Sequence, residues 1–291
     1  MGESHEFTSW RSYRHFRREI ASHRRYLLSD ESKAFLAELA RTAASRARRL
    51  PVGSNFCRAQ VAHQNREDSE AGPLPDPAPL DRMMPRPDAA SDGRANAEGI
   101  PRLYMAGDRH TAIAEVRPWI GSLVTVAFLK TLRDLRVVDC RGTDAKSYWV
   151  FEEEPSPAKR EEAVWAEVAA AFREPVLRGD DRAGYAPTQV IAELFQQHDF
   201  DGIVYGSGFG DDAVNVVLFD TGATEMFACE IHEVRGVKLD HEPIDNPFPI
   251  KRNEKGELVM FRTIVEIIGP VGAPPSDDAG NDVGGEGGTC P

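Results

Sequence analysis

Arg94, Tyr104 and Glu115 fall inside one short stretch, GRANAEGIPRLYMAGDRHTAIAEVRPWIG, that runs from Gly93 to Gly121. Arg94 sits in a glycine-flanked turn, where a guanidinium can offer a bidentate fork to phosphate or carboxylate. Tyr104 alternates with Leu103 and Met105 in RLYMA. Its ring is either a core element or an aromatic platform for a nicotinamide or adenine ring. Glu115 is flanked by Ala112, Ile113, Ala114 and Val116. A carboxylate in that setting lies on a narrow exposed face or points into a polar cleft. One cation, one π-face and one carboxylate form a set that can hold a dinucleotide and break a bond at a ribose.

A second segment completes the set. Asp201-Gly-Ile-Val-Tyr-Gly-Ser207-Gly-Phe-Gly is a short apolar run entering a glycine-rich turn, followed by Asn215-Val-Val-Leu-Phe. Glycines on both sides of Ser207 allow backbone to approach a ligand closely. The segment is not GxSxG, and no histidine is placed to activate the serine, so a serine nucleophile is not expected. GSGFG also fails the GxGxxG fingerprint and opens no helix. Arg58, in NFCRAQ, is a further candidate cation, or else half of a structural ion pair.

The elements that must position these residues follow from periodicity. Trp10, Tyr13, Phe16 and Ile20 recur at helical spacing with arginines between them, which predicts an amphipathic helix over 8–28. Ser29 or Asp30 then caps a second helix running to about Arg48, with Arg46, Arg48 and Arg49 in its last turn. Residues 63–93 carry PLPDPAPL and MMPRPD, a proline density that predicts a long irregular loop rimming a site. Beyond residue 100 the pattern predicts a strand at 102–106 and a helix at 108–117 capped by Asp108 and stopped by Pro118. Strands follow at 123–129 and 135–139, then helices at 156–173 and 187–198. Further strands are expected at 202–205, 215–219 and within 226–239 and 258–268. Strands outnumber helices and many are consecutive, which favours α+β over a doubly wound sheet. Residues 269–291 are Gly, Pro and Asp with few apolar side chains, and read as a disordered tail.

Composition narrows the function classes. Of 291 residues 41% are apolar, enough for a sizeable core. No run is long and apolar enough for a membrane span, and no apolar stretch follows the N-terminal charges as a secretory signal requires. The four cysteines show no CxxC, which points to free thiols in a reducing cytoplasm. The eight histidines show no HxH or HxxxH, so no metal is expected. Net charge is −12, yet the first 50 residues hold 11 basic against 6 acidic side chains, leaving the rest at −17. So acidic a body argues against nucleic acid as the main substrate. The basic N-terminal stretch is expected to meet that body or a partner.

These motifs together resemble the RES domain family, named for its arginine, glutamate and serine. The likeness runs from about Phe56 to Phe219. It is carried by Gly93-Arg94-x-Asn96 with Gly99, Leu103-Tyr104-x-Ala106, Thr111-Ala112-x-x-Glu115, and Asp201-Gly-Ile-x-Tyr205-x-Ser207 with Asn215. The resemblance implies Arg94, Glu115 and Ser207 as catalytic residues, with Arg58, Tyr104 and Asn215 as binding residues. It implies an α+β fold with a mixed or antiparallel sheet core resembling ADP-ribosyltransferase toxins, preceded here by the helical hairpin. The expected division is 1–50 as N-terminal helical extension, 51–268 as RES-like catalytic domain and 269–291 as tail. The implied activity is cleavage of the nicotinamide–ribose bond of NAD+, by phosphorolysis or hydrolysis, in a toxin of a toxin–antitoxin pair. NAD+ is then substrate rather than cofactor, inorganic phosphate is a candidate co-substrate, and an antitoxin protein and a second copy of the chain are candidate partners. The alternatives are a protein- or small-molecule-modifying ADP-ribosyltransferase and a non-catalytic NAD-binding or interaction module. Two departures stand out: the extensions at both ends, and alanine rather than an aromatic residue after Arg94.

Overall fold

A computed structural model describes residues 6–86, 89–142, 153–174, 182–243, 250–253, 255–256 and 258–260. The expected tail at 269–291 lies outside these residues. The chain divides into two compact units, Met1–Val237 and Lys238–Pro291. The second contributes one small antiparallel pair, β11 (Ile250–Arg252) with β12 (Leu258–Met260).

The first unit is α+β, built on a mixed eight-stranded sheet. In chain order its strands are β1 (Ala47–Leu50), β2 (Asn55–Gln60), β5 (Leu103–Ala106), β6 (Leu123–Thr131), β7 (Leu135–Asp139), β8 (Gly202–Gly206), β9 (Val214–Leu218) and β10 (Thr224–Glu233). Their spatial order is β1-β7-β8-β9-β5-β2-β6-β10, antiparallel throughout except for β7–β8. Alternation assigns the two faces. Ile203, Tyr205 and Val217 face the helical layer, whereas Val204, Val216 and Leu218 join Leu103, Leu129 and Val137 in a second core.

The helical layer comprises α1 (Ser12–Ser22), α2 (Asp30–Ala43), α4 (Pro157–Arg173) and α5 (Ala186–Gln197). The aromatic stripe foreseen in α1 is buried as expected: Trp10, Tyr13, Phe16 and Ile20 are each at most 4% exposed. Phe16 stacks on Phe35 of α2, with ring centroids 4.7 Å apart. Ser29 is the cap of α2, its hydroxyl accepting from the Ser32 N–H at 3.2 Å. The basic face of α1 meets α4, with Arg14 on Glu167 and Arg17 4.0 Å from Glu174. The positive stretch therefore pairs within its own chain. Exposed ion pairs contribute little, so the buried aromatics hold the hairpin down.

Two expectations are corrected. The second helix stops at Ala43, and residues 47–50 pair with β7 as an edge strand instead of extending the helix to Arg48. There Arg48 reaches Asp139 and Arg49 reaches Asp134, ion pairs that only the strand conformation aligns. The first part of the proline-rich stretch is not irregular: β3 (His63–Asp68) and β4 (Gly72–Pro77) form a hairpin, and Leu80–Met83 make a turn of 3₁₀ helix. Pro73, Pro75 and Pro77 alternate along β4. Their missing N–H groups thus share one side of the strand, and Leu74 and Asp76 carry the ladder. Strand β2 itself was not foreseen, although it runs between β5 and β6 in the sheet.

Candidate functional site

Three segments meet where β8, β9 and β5 lie side by side. β8 ends at Gly206, so Ser207 leaves the sheet edge directly. On β9, Asn215 pairs with Tyr205 on one side and Ala106 on the other. After β5, Asp108 caps α3 (Arg109–Glu115) by accepting from the Thr111 N–H at 2.9 Å. The seven-residue helix ends as Arg117 turns to a φ of 46° before Pro118, which leaves Glu115 in its last turn, facing the two strand ends.

There Glu115 Oε1 receives two donors. The Ser207 hydroxyl donates at 2.7 Å, and the Asn215 side-chain amide donates to the same oxygen. Oε2 has no hydrogen-bond partner among the described residues, so it is available to a ligand. Ser207 and Asn215 are 1% and 3% exposed. The serine is fixed further: its hydroxyl accepts from the Phe209 N–H, its N–H donates to Ala213 O, and its carbonyl accepts from Arg173 of α4. Such a serine orients a carboxylate. It is not poised as a nucleophile.

Beside this cluster lies a cleft of about 430 Å³, walled by Arg58, Arg94, Tyr104, Glu115, Tyr205 and Asn215, among others. Its volume is in the range of small-molecule sites. The structure thus brings five of the six residues singled out from the sequence to the cleft wall and places Ser207 directly behind Glu115. Arg58 enters from β2, its Nη1 donating to Tyr104 O at 2.8 Å. Burial pulls the Arg58 guanidinium below its usual range, because desolvation disfavours the charged form and no carboxylate among the described residues pairs with it. Arg94 donates through Nε and Nη2 to Glu174 O, at the C-terminus of α4 where a cation suits the helix dipole. Its guanidinium lies 6.0 Å from the Tyr205 ring.

Tyr104 presents its ring to the cleft and spends its hydroxyl on the turn that carries Arg94. The phenol donates to Asn96 Oδ1 at 2.7 Å and accepts from the Ala95 N–H at 2.9 Å. Burial raises the Tyr104 phenol far above its ordinary value and pushes Tyr205 up to about 12, the latter opposed by the charge of Arg94. Both phenols therefore stay neutral across the physiological range.

Sequence reasoning missed Tyr205 and Gln189 as functional residues. Tyr205 was visible in the DGIVYGS motif. Gln189 gave no signal, since it stands on α5 among helix-forming neighbours. Its amide donates to Gly93 O at 3.0 Å and Asn96 O at 2.7 Å, closing the Arg94 turn from the helical layer. Gln189→Ala should remove one of the two donors from each of the turn's carbonyls, leaving only the Gly93–Asn96 backbone pair, at about 0.5–1.5 kcal/mol per net hydrogen bond. The expected result is a several-fold loss of turnover with a melting temperature lowered by several degrees, read by steady-state kinetics beside a thermal melt.

The described residues contain no group of three His, Cys, Asp or Glu able to hold a metal. They also contain no helix long and apolar enough to cross a membrane. The RES domain family model matches residues 66–245. No curated protein matches the chain. Among solved structures, a chain of the M. tuberculosis MbcT–MbcA toxin–antitoxin complex is similar at 14% identity, covering 67% of this chain and 92% of that one with a TM-score of 0.38.

Proposed function

Because the chain belongs to the RES domain family, we propose that it consumes NAD+ by cleaving the bond between nicotinamide and ribose. One observation carries the reading: a carboxylate with one oxygen fixed by two buried donors and the other open to a cleft that also holds Arg58 and Arg94 among its three arginines. In NAD+ the scissile bond joins C1″ of the ribose to a cationic pyridinium nitrogen. When it breaks, the bonding electrons leave with nicotinamide, which departs neutral and needs no general acid. The barrier is the oxocarbenium-like ribose, as in glycoside cleavage. Glu115 Oε2 accepts from a ribose hydroxyl and opposes the positive charge developing at C1″. Ser207 and Asn215 hold that carboxylate in one orientation, so no reorganisation is needed as charge develops. Arg58 and Arg94 meet the diphosphate, Arg58 with a buried charge that an anion would compensate. Tyr104 and Tyr205 offer ring faces to nicotinamide.

An acceptor oxygen then bonds to C1″ and loses its proton. Phosphate gives ADP-ribose-1″-phosphate, water gives ADP-ribose, and a protein side chain gives a modified protein. We assign the first two classes, and extend the proposal on the family resemblance to a toxin paired with an antitoxin. The test incubates purified protein with NAD+, with and without inorganic phosphate, and resolves the products by chromatography and phosphorus NMR. Nicotinamide with either small-molecule product supports the proposal. Label transferred from NAD+ to protein, without free ADP-ribose products, overturns the acceptor assignment.

A further inference from the structure

A second cavity, of about 290 Å³, adjoins the first and shares Arg58, Gln60 and Tyr104 with it. Its walls include four arginines, Arg58, Arg82, Arg86 and Arg102, and no acidic side chain among the described residues. In a chain of net charge −12 that is a pronounced local reversal. A cleft lined by one sign of charge focuses its field on a ligand of the other sign.

Two of the four arginines are incompletely satisfied. Arg58 and Arg102 each keep a buried Nε with no hydrogen-bond partner. Arg102 already spends Nη1 on Phe219 O and Nη2 on Gln196 Oε1. Among the described residues neither guanidinium forms an ion pair, and only the more distant charge of Glu193 favours Arg102. A buried guanidinium with an unpartnered Nε is stabilised when an anion meets it.

We propose that this second cavity is a phosphate subsite that receives the adenosine half of the dinucleotide. The proposal rests on the NAD+-cleaving reading of the first cavity and adds where the remainder of the substrate lies. A dinucleotide is two nucleosides joined by a diphosphate, and the two cavities are two lobes joined at Arg58. With nicotinamide riboside at Glu115, the diphosphate crosses Arg58, and Arg82 and Arg86 on the outer wall face the far ribose. An additional phosphate on that ribose meets Arg82 and no acidic side chain among the described lining residues, so a 2′-phosphorylated dinucleotide is accepted at least as well as the unmodified one. The same chemistry also fits free inorganic phosphate, which the test separates.

The test uses calorimetric titration of the full chain with adenosine 2′,5′-bisphosphate, with 5′-AMP and with inorganic phosphate. These probes cannot be cleaved, so the result stands apart from whether NAD+ is consumed. The proteins are wild type, Arg82→Ala/Arg86→Ala and the single charge reversal Arg82→Glu, whose positions are exposed. The bisphosphate should bind more tightly than 5′-AMP, and the double variant should weaken it by at least about tenfold, as expected for the loss of charge-assisted contacts. Inorganic phosphate that binds as tightly as the bisphosphate and with the same dependence makes the free anion the occupant and overturns the adenosine assignment. Binding only of the nucleoside-borne phosphate makes the dinucleotide the occupant. Bisphosphate affinity equal in all three folded proteins overturns the subsite.

Discussion

Replacing Glu115 by glutamine is expected to lower NAD+ turnover by about three orders of magnitude while leaving the fold and NAD+ affinity close to wild type. Glutamine has the same shape, and its amide oxygen can still accept from Ser207 and Asn215, the two donors that hold the native Oε1. What it removes is a negative charge beside C1″. At about 4 Å and an effective dielectric near 20, one charge pair is worth about 4 kcal/mol. Each ~1.4 kcal/mol of barrier is a factor of ten in rate, so the loss approaches ~10³-fold. The charge opposes a cation that exists fully only in the transition state. The effect should therefore fall on kcat and leave KM nearly unchanged. A proportional rise in KM with kcat intact would mean that Glu115 only binds substrate.

Gly93→Ala is expected to cause the next largest loss of activity, for a steric reason. A Cβ at residue 93 would lie 2.5 Å from the Tyr104 hydroxyl and 2.7 Å from Asn96 Oδ1. Those two atoms form the hydrogen bond that closes the Arg94 turn. The methyl must displace one of them, and Tyr104 cannot retreat without moving its ring in the cleft wall. Loss of the Tyr104–Asn96 bond leaves a buried polar group unsatisfied at about 1–3 kcal/mol. Arg94 then loses its fixed direction, and catalytic geometry is sensitive to displacements of about 1 Å, at up to ~10²-fold in rate. The expected outcome is a 10- to 100-fold lower kcat/KM, about the range set by these terms, with a melting temperature within a few degrees of wild type. Full activity in Gly93→Ala would show that the turn does not position a reacting group.

The pattern of what the sequence made legible follows from the range of the forces involved. Glu115 could be placed because its helix is delimited locally: Asp108 caps it, and Pro118 stops it. The α1 and α2 hairpin was legible for the same reason, through aromatic spacing and the Ser29 cap. Ser207 and Asn215 were legible as a strand end and a strand start flanking a glycine turn. Their convergence on one carboxylate oxygen is a product of sheet order, which places β9 between β8 and β5. Strand β2 was missed because NFCRAQ is too short and mixed to show a period, although the sheet buries it on both sides. The helix pattern extends to about Arg48 because arginine suits a helix terminus, whereas the pairing of Ala47–Leu50 with β7 and the nearby aspartates prevails. The proline hairpin defeated a rule of composition by its alternation. Gln189 stays invisible to local reasoning, since the turn it closes is 93–96 residues away.

The most direct measurement is nicotinamide released from NAD+ by the purified wild-type chain, followed to completion by chromatography beside Glu115→Gln under identical conditions. Nicotinamide should form in step with NAD+ lost by the wild type, with almost none from the folded variant. NAD+ left intact by a folded wild-type protein, or equal release by both proteins, would contradict it.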